Sequence, residues 1–232
     1  MKCIVGNEIV NIYESDFIGS GKEARAYRVG ESAVKIFLPT RCQGLLDEHG
    51  FSYLQELSSE VGTCVSDLVY DLDYNFIGYS LPYFSNMDVG EMLELSYDDL
   101  FRQLDALHYK IIKLSECGVL MSDIYHNYIY HNGIQFIDYG SFQVNPKAKD
   151  VPFLKQVIYQ ENLRQVNNLL VGIFVFDYFR DEEEDDRVLF YQLNEYRSRK
   201  CGEDVYFGNV LRMLFHKHGG ETIQDIKKYV KL

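Results

Sequence analysis

Residues 18–37 read IGSGKEARAYRVGESAVKIF, and what this stretch is built to hold decides how the rest of the chain is read. Gly19 and Gly21 flank Ser20, so a flexible bend follows the apolar pair Phe17-Ile18. Ala24, Ala26 and Tyr27 resume a strand, and Arg28-Val29-Gly30-Glu31 has the composition of a turn. Ala33-Val34-Lys35-Ile36-Phe37 is apolar and β-branched apart from Lys35. A lysine in such a run is commonly an edge-strand residue that keeps its ammonium in water. The alternative is that lysine and glycines together bind a ligand, which requires matching groups elsewhere in the chain.

The 232 residues suffice for one domain or two small lobes, and a composition of 47% hydrophobic and 15% aromatic residues is that of a folded protein. Against 23 basic residues stand 35 acidic ones, a net charge of −12, which argues against a nucleic-acid partner held by a broad basic face. Asp181–Asp186 is an acidic run that reads as a solvated turn, because adjacent carboxylates repel and cannot all reach one ion. The five cysteines are scattered without a CxxC pair, so neither a disulfide framework nor a zinc site is expected. The N-terminus lacks the apolar core of a signal peptide, and the run Leu169–Phe176 is too short to span a bilayer. The expectation is a soluble cytoplasmic protein without a membrane partner.

Along the chain the pattern changes once. Ile4-Val5 and Ile9-Val10 around Gly6-Asn7 form a hairpin signal. Leu45, Leu46, Phe51, Leu54 and Leu57 follow a helical period that Gly62 ends, and strands are expected near Val65–Leu72 and Phe76–Leu81. That makes four or five antiparallel strands and one helix before Pro82. Beyond it, Leu100, Leu104, Leu107, Ile111 and Leu114 mark a long helix that Ser96 and Asp99 start and Cys117-Gly118 closes. A hairpin is expected around His131-Asn132-Gly133, and further helices over 153–176, 188–197, 205–216 and 223–230.

Residues 119–140, VLMSDIYHNYIYHNGIQFIDYG, carry the densest polar constellation. Asp123 follows a helix end, Asn127 comes soon after, and Asp138 sits where the apolar strand Ile134–Ile137 meets Tyr139-Gly140. A carboxylate at a strand end before glycine is suited to ligate Mg²⁺ on nucleotide phosphates, with an asparagine oxygen as a neutral second ligand. Each of the three is also a residue type that caps turns.

Taken with the opening stretch, the order of these residues resembles the protein-kinase-like superfamily over most of residues 14–140. The resemblance implies an α+β, two-lobed fold, with an antiparallel N-terminal lobe over 1–84, a mainly helical lobe over 85–232 and a cleft near Pro82 to Met87. It implies ATP and Mg²⁺ as cofactors: Gly19, Ser20, Gly21 and Lys35 on the phosphates, Pro82 and Tyr83 beside the nucleotide, Asn127 and Asp138 on the metal, and Asp123 as catalytic base. The helix glutamate that would hold Lys35 is Glu48 or Glu56, with Glu48 preferred by its helical phase. The chain departs from the family pattern at four places. Ala24 replaces the third glycine, Met121-Ser122 stand for the histidine-arginine pair, Asp123 and Asn127 are four residues apart where the motif has five, and no A-P-E follows Gly140. The expected activity is phosphoryl transfer to a hydroxyl, with protein serine/threonine placed ahead of a small-molecule acceptor. An inactive nucleotide-binding or interaction module is the competing reading.

Overall fold

The computed structural model describes residues 1–39, 46–84, 95–125, 127–173 and 205–218. The helices expected over 188–197 and 223–230 and the acidic run Asp181–Asp186 lie outside those residues, as does the end of the expected cleft at Met87. Two compact units emerge, Met1–Ser85 with Phe136–Val144, and Asn86–Gln135 with Asn145–Leu232. The expected division at residue 84 assigns 136–144 to the helical lobe; by its contacts this segment belongs with the sheet.

The first unit is built on seven antiparallel strands, more than the four or five expected: β1 (Lys2–Val5), β2 (Glu8–Asn11), β3 (Phe17–Ser20), β4 (Ala24–Val29), β5 (Ser32–Phe37), β6 (Leu68–Tyr70) and β7 (Phe76–Pro82). They lie in the order β2-β1-β6-β7-β5-β4-β3. Gly6, with φ of 59°, turns the expected β1–β2 hairpin.

Side-chain alternation gives the sheet two working faces. Val34 and Ile36 of β5 join Cys3, Ile12, Tyr27, Val69 and Ile77 in one apolar cluster. Lys35 and Phe37 point the other way, toward Phe51 of α1 (Glu48–Glu56) and Tyr79, which is directly opposite Lys35 on β7. Asp47 caps α1 by accepting a hydrogen bond from the Gly50 amide at 2.9 Å. Phe51 and Leu54 are fully buried, and Gly62, in the left-handed region, ends the short α2 (Ser58–Val61).

The second unit is mainly helical. In α3 (Tyr97–Glu116) the Ser96 hydroxyl accepts from the Asp99 amide, and the predicted stripe from Leu100 to Leu114 is buried. After β8 (Val119–Leu120), β9 (Tyr128–Tyr130) and β10 (Ile134–Phe136) form the expected hairpin, with Asn132 and Gly133 at positive φ in its turn. Proline begins α4 (Pro152–Gly172). The fully buried Asn167 on α4 donates to the Val205 carbonyl and accepts from the Phe207 amide, which ties down the start of α5 (Phe207–His218). No described helix is long and apolar enough to cross a membrane. A sheet unit and a helical unit are the α+β architecture that the protein-kinase-like resemblance implies.

Gly78 on β7 is a steric requirement of this sheet, since an added Cβ would lie 1.9 Å from the Lys35 carbonyl oxygen. We therefore expect Gly78→Ala to cost about 1–3 kcal/mol, the usual range for overpacking, seen as a lower urea midpoint.

Candidate functional site

The sheet unit holds one half of the expected constellation. Lys35 Nζ lies 3.0 Å from Asp138 Oδ2 and donates to the Ile137 carbonyl oxygen, also at 3.0 Å. Its side chain is only 16% exposed, so the ammonium has given up most of its water and depends on these two oxygens. The pairing exists because residues 136–144 are stitched into the sheet unit at several points. The Tyr139 amide donates to the Tyr79 hydroxyl, the Leu46 amide donates to the Gly140 carbonyl, and the Cys64 amide donates to the Tyr139 hydroxyl at 2.9 Å. Tyr139 is fully buried, and burial pushes its phenol well above the usual range, with Cys64 adding to the effect. The tyrosine that replaces phenylalanine in the motif thus gains an anchor through its hydroxyl.

Neither candidate glutamate holds Lys35. Glu48 accepts a hydrogen bond from the Tyr70 hydroxyl at 2.9 Å, and Glu56 is exposed at the end of α1. Glu48 is the first residue of its helix and reaches the β6 side of the sheet, whereas Lys35 sits on β5 and its carboxylate is supplied by Asp138. The residues overlooked in the sequence are Tyr79 and Glu23. Tyr79 donates to Asp138 Oδ1 at 3.2 Å, and burial, reinforced by the Asp138 charge, keeps its phenol pKa well above the ordinary value. A Cβ placed on Gly140 would meet Glu23 Oε2 at 3.3 Å and Asp138 Oδ1 at 3.4 Å, so the glycine loop carries a carboxylate toward the same spot.

Gly19 follows the bulge in the pairing of β3 with β4, which continues to Ser20, and the Gly21 amide donates to the Ala24 carbonyl. Neither glycine takes a left-handed backbone, and an added Cβ would meet nothing within 4 Å at either. The fold itself does not demand glycine there, which fits a loop whose backbone is left open to a ligand. Ser20 is exposed at the end of β3. Pro82 ends β7, and the Tyr83 amide is taken up by the Glu31 carbonyl, with the Arg28 guanidinium 4.3 Å from the Tyr83 ring centre. The Tyr83 amide is thus already committed within the sheet unit.

The helical unit holds the other half. Asp123 has a positive φ of 53°, uncommon outside glycine and a strain that tends to sit at functional positions. Its neighbours Met121 and Ile124 are buried while Asp123 itself is exposed. The Asn127 side-chain Nδ2 donates to the Asp123 backbone carbonyl at 2.6 Å, and the Asn127 backbone amide donates to the Ile124 carbonyl, so the turn is closed without the Asp123 carboxylate. The four-residue spacing thus brings the Asn127 side chain onto the Asp123 backbone, with its carboxamide NH₂ occupied. Behind this loop, the fully buried Asn162 of α4 accepts from the Met121 amide at 2.7 Å and donates to the Val119 carbonyl and the Ser115 hydroxyl.

The described residues include no group of three or more His, Cys, Asp or Glu side chains that could hold a metal. The Asp138 carboxylate is of the kind that suits Mg²⁺, which keeps several waters and is commonly bound through one or two carboxylates plus phosphates. Lys35 fits the phosphates themselves as a compact charge with three donors.

No protein-family model and no curated protein matches the sequence. Among solved structures the chain is similar to one described as "Legionella pneumophila Lpg2603 kinase bound to IP6". The identity is 14% and the TM-score 0.45, over 96% of this chain and 82% of that one. The reading of this chain rests on its own sheet, helices and side-chain geometry.

Truncating Asn162 would leave the Met121 amide and the Val119 carbonyl buried without their partner. We expect Asn162→Ala to lose about 2–4 kcal/mol, the scale of two stranded buried groups, measured by urea unfolding.

Proposed function

We propose that the chain is an ATP- and Mg²⁺-dependent phosphotransferase acting on a hydroxyl acceptor. The observation that carries this reading is the Lys35–Asp138 ion pair. It places a desolvated ammonium and a metal-competent carboxylate together on the strand and the Asp-Tyr-Gly turn where the protein-kinase-like resemblance expects them. Lys35 would bear on the phosphate oxygens, and the open backbone of Gly19–Gly21 would approach them. Asp138 would hold Mg²⁺, which supplies charge neutralisation for the transferred group, and the resemblance assigns Asn127 as a further ligand. Asp123, exposed and held out of its turn by buried neighbours, would accept the proton of the acceptor hydroxyl as that oxygen bonds to the γ-phosphorus and ADP leaves.

The segment after Asp138 supports a small-molecule acceptor over the protein serine/threonine that the resemblance puts first. Between Gly140 and the start of α4 at Pro152 the chain forms only a two-residue strand and the 3-10 turn Pro146–Asp150. That leaves no long segment along which a peptide could lie. The inactive-module reading draws on the shortened Asp123–Asn127 spacing, and transfer by the wild type is what separates it from the phosphotransferase reading.

Two measurements test the proposal. Titration of ATP with and without Mg²⁺ is expected to show metal-dependent binding to the wild type that weakens at least about tenfold in Lys35→Ala, the scale of one lost charge-assisted contact. Radiolabelled transfer from ATP is then followed to a panel of polyols, sugars, amino alcohols and serine/threonine peptides. Asp123→Asn is expected to keep ATP affinity within about threefold yet lose transfer about 10²-fold or more, as for a general base. Equal transfer by wild type and Asp123→Asn would remove Asp123 from the mechanism. Transfer to peptides alone would restore the protein-kinase reading.

A further inference from the structure

Asp138 is held more tightly than an ion pair requires. Its Oδ2 faces Lys35 at 3.0 Å, while its Oδ1 accepts both the Tyr79 hydroxyl and the Gly140 amide, each at 3.2 Å. A carboxylate presents about four lone-pair directions, two on each oxygen. Oδ1 therefore has both of its directions filled by neutral donors, and Oδ2 has one left beside Lys35.

The Tyr79 hydroxyl has little freedom to do otherwise. It accepts from the Tyr139 amide at 3.3 Å, so its single proton goes to Asp138. Its ring is 1% exposed and stacked on Phe51 with centres 4.4 Å apart and planes 26° apart. The register that sets Tyr79 opposite Lys35 fixes both donors on the same face of the sheet.

We propose that Tyr79 is a positioning and specificity-determining residue that restricts Asp138 to ligating a cation through Oδ2 alone, and so selects Mg²⁺ over Ca²⁺. The inference rests on the reading that Asp138 holds the metal of a bound nucleotide. Mg²⁺ is small, demands near-octahedral geometry and is served by one oxygen per carboxylate. Ca²⁺ is larger and readily takes both oxygens of one carboxylate. With Oδ1 committed to Tyr79 and Gly140, the two-oxygen mode that favours Ca²⁺ is closed. Loss of the hydroxyl frees one direction on Oδ1 and lets the carboxylate turn.

The test is Tyr79→Phe, which keeps the ring and its stack on Phe51. Calorimetry measures the affinity for a non-hydrolysable ATP analogue with Mg²⁺, with Ca²⁺ and with neither, alongside a thermal melt. The ratio of Mg²⁺-supported to Ca²⁺-supported affinity is expected to fall about tenfold, the scale of one hydrogen bond to a charged group. Metal-free affinity should stay unchanged. A merely structural role would lower all three affinities together and leave the ratio as it was, which overturns the inference while the functional reading stands. A wild type with no metal-dependent binding overturns the functional reading and this inference with it. If Tyr79→Phe does not fold, infrared difference spectra of the wild type with Mg²⁺ and the analogue, with Asp138→Asn as control, decide the matter. A wide splitting of the carboxylate stretches supports one-oxygen ligation, and a narrow one, typical of two-oxygen ligation, contradicts it.

Discussion

A single lysine ammonium, mostly withdrawn from water, sets the terms for the sheet unit. Lys35 lies on an inner strand of the sheet, with β4 on one side and β7 on the other, and its register puts it on the same face as Phe37, Phe51 and Tyr79. An ammonium so enclosed requires oxygen partners, because an unpaired buried charge is far more costly than an unpaired neutral group. The Ile137 carbonyl and the Asp138 carboxylate meet that requirement, and they come from a segment remote in sequence. Residues 136–144 are members of the sheet unit for this reason. The hydrogen bonds through Tyr139 and Gly140 and the edge-on contact of Tyr139 with Phe142 hold that segment in register with the lysine.

The same arrangement satisfies the Asp138 carboxylate within the protein. Asp138 receives one charged and two neutral donors, so both of its oxygens are satisfied in the protein alone. A cation arriving with phosphates would take up the remaining direction on Oδ2, while Lys35 could turn toward the phosphates with its other donors. In the helical unit a comparable division holds. Buried Asn162 fixes the backbone at Val119 and Met121, and the strain at Asp123 is carried by a loop whose flanks are buried. In both units buried amides and hydroxyls hold the backbone and side chains around these carboxylates in place.

Much of this was legible in the sequence where the signal is local. The lysine in an apolar strand, the Ser96 cap and the stripe from Leu100 to Leu114 are read from neighbours within a few residues, and the structure places them as expected, whereas the bend expected after Ile18 comes later because β3 runs on through Ser20. The hairpin turns at Gly6 and at Asn132-Gly133 follow from backbone preferences in the same way. The partner of Lys35 was not legible, because a helical phase shows which face Glu48 shares with Phe51 but not how far that face extends over the sheet. Glu48 stands at the first turn and meets Tyr70. Tyr79 escaped notice because a tyrosine in an apolar strand reads as packing, and its polar end is assigned only when the chain returns at residues 137–140.

The central claim is that Lys35 and Asp138 form a site for the phosphates and metal of a nucleotide. The most direct measurement is a crystal structure with a non-hydrolysable ATP analogue and Mn²⁺, whose anomalous scattering locates the ion. The account predicts an anomalous peak about 2.1 Å from Asp138 Oδ2, close to the distance of a hard divalent cation from a carboxylate oxygen, with phosphate oxygens beside Lys35. Nucleotide bound away from Lys35, or bound with no metal on Asp138, would contradict it.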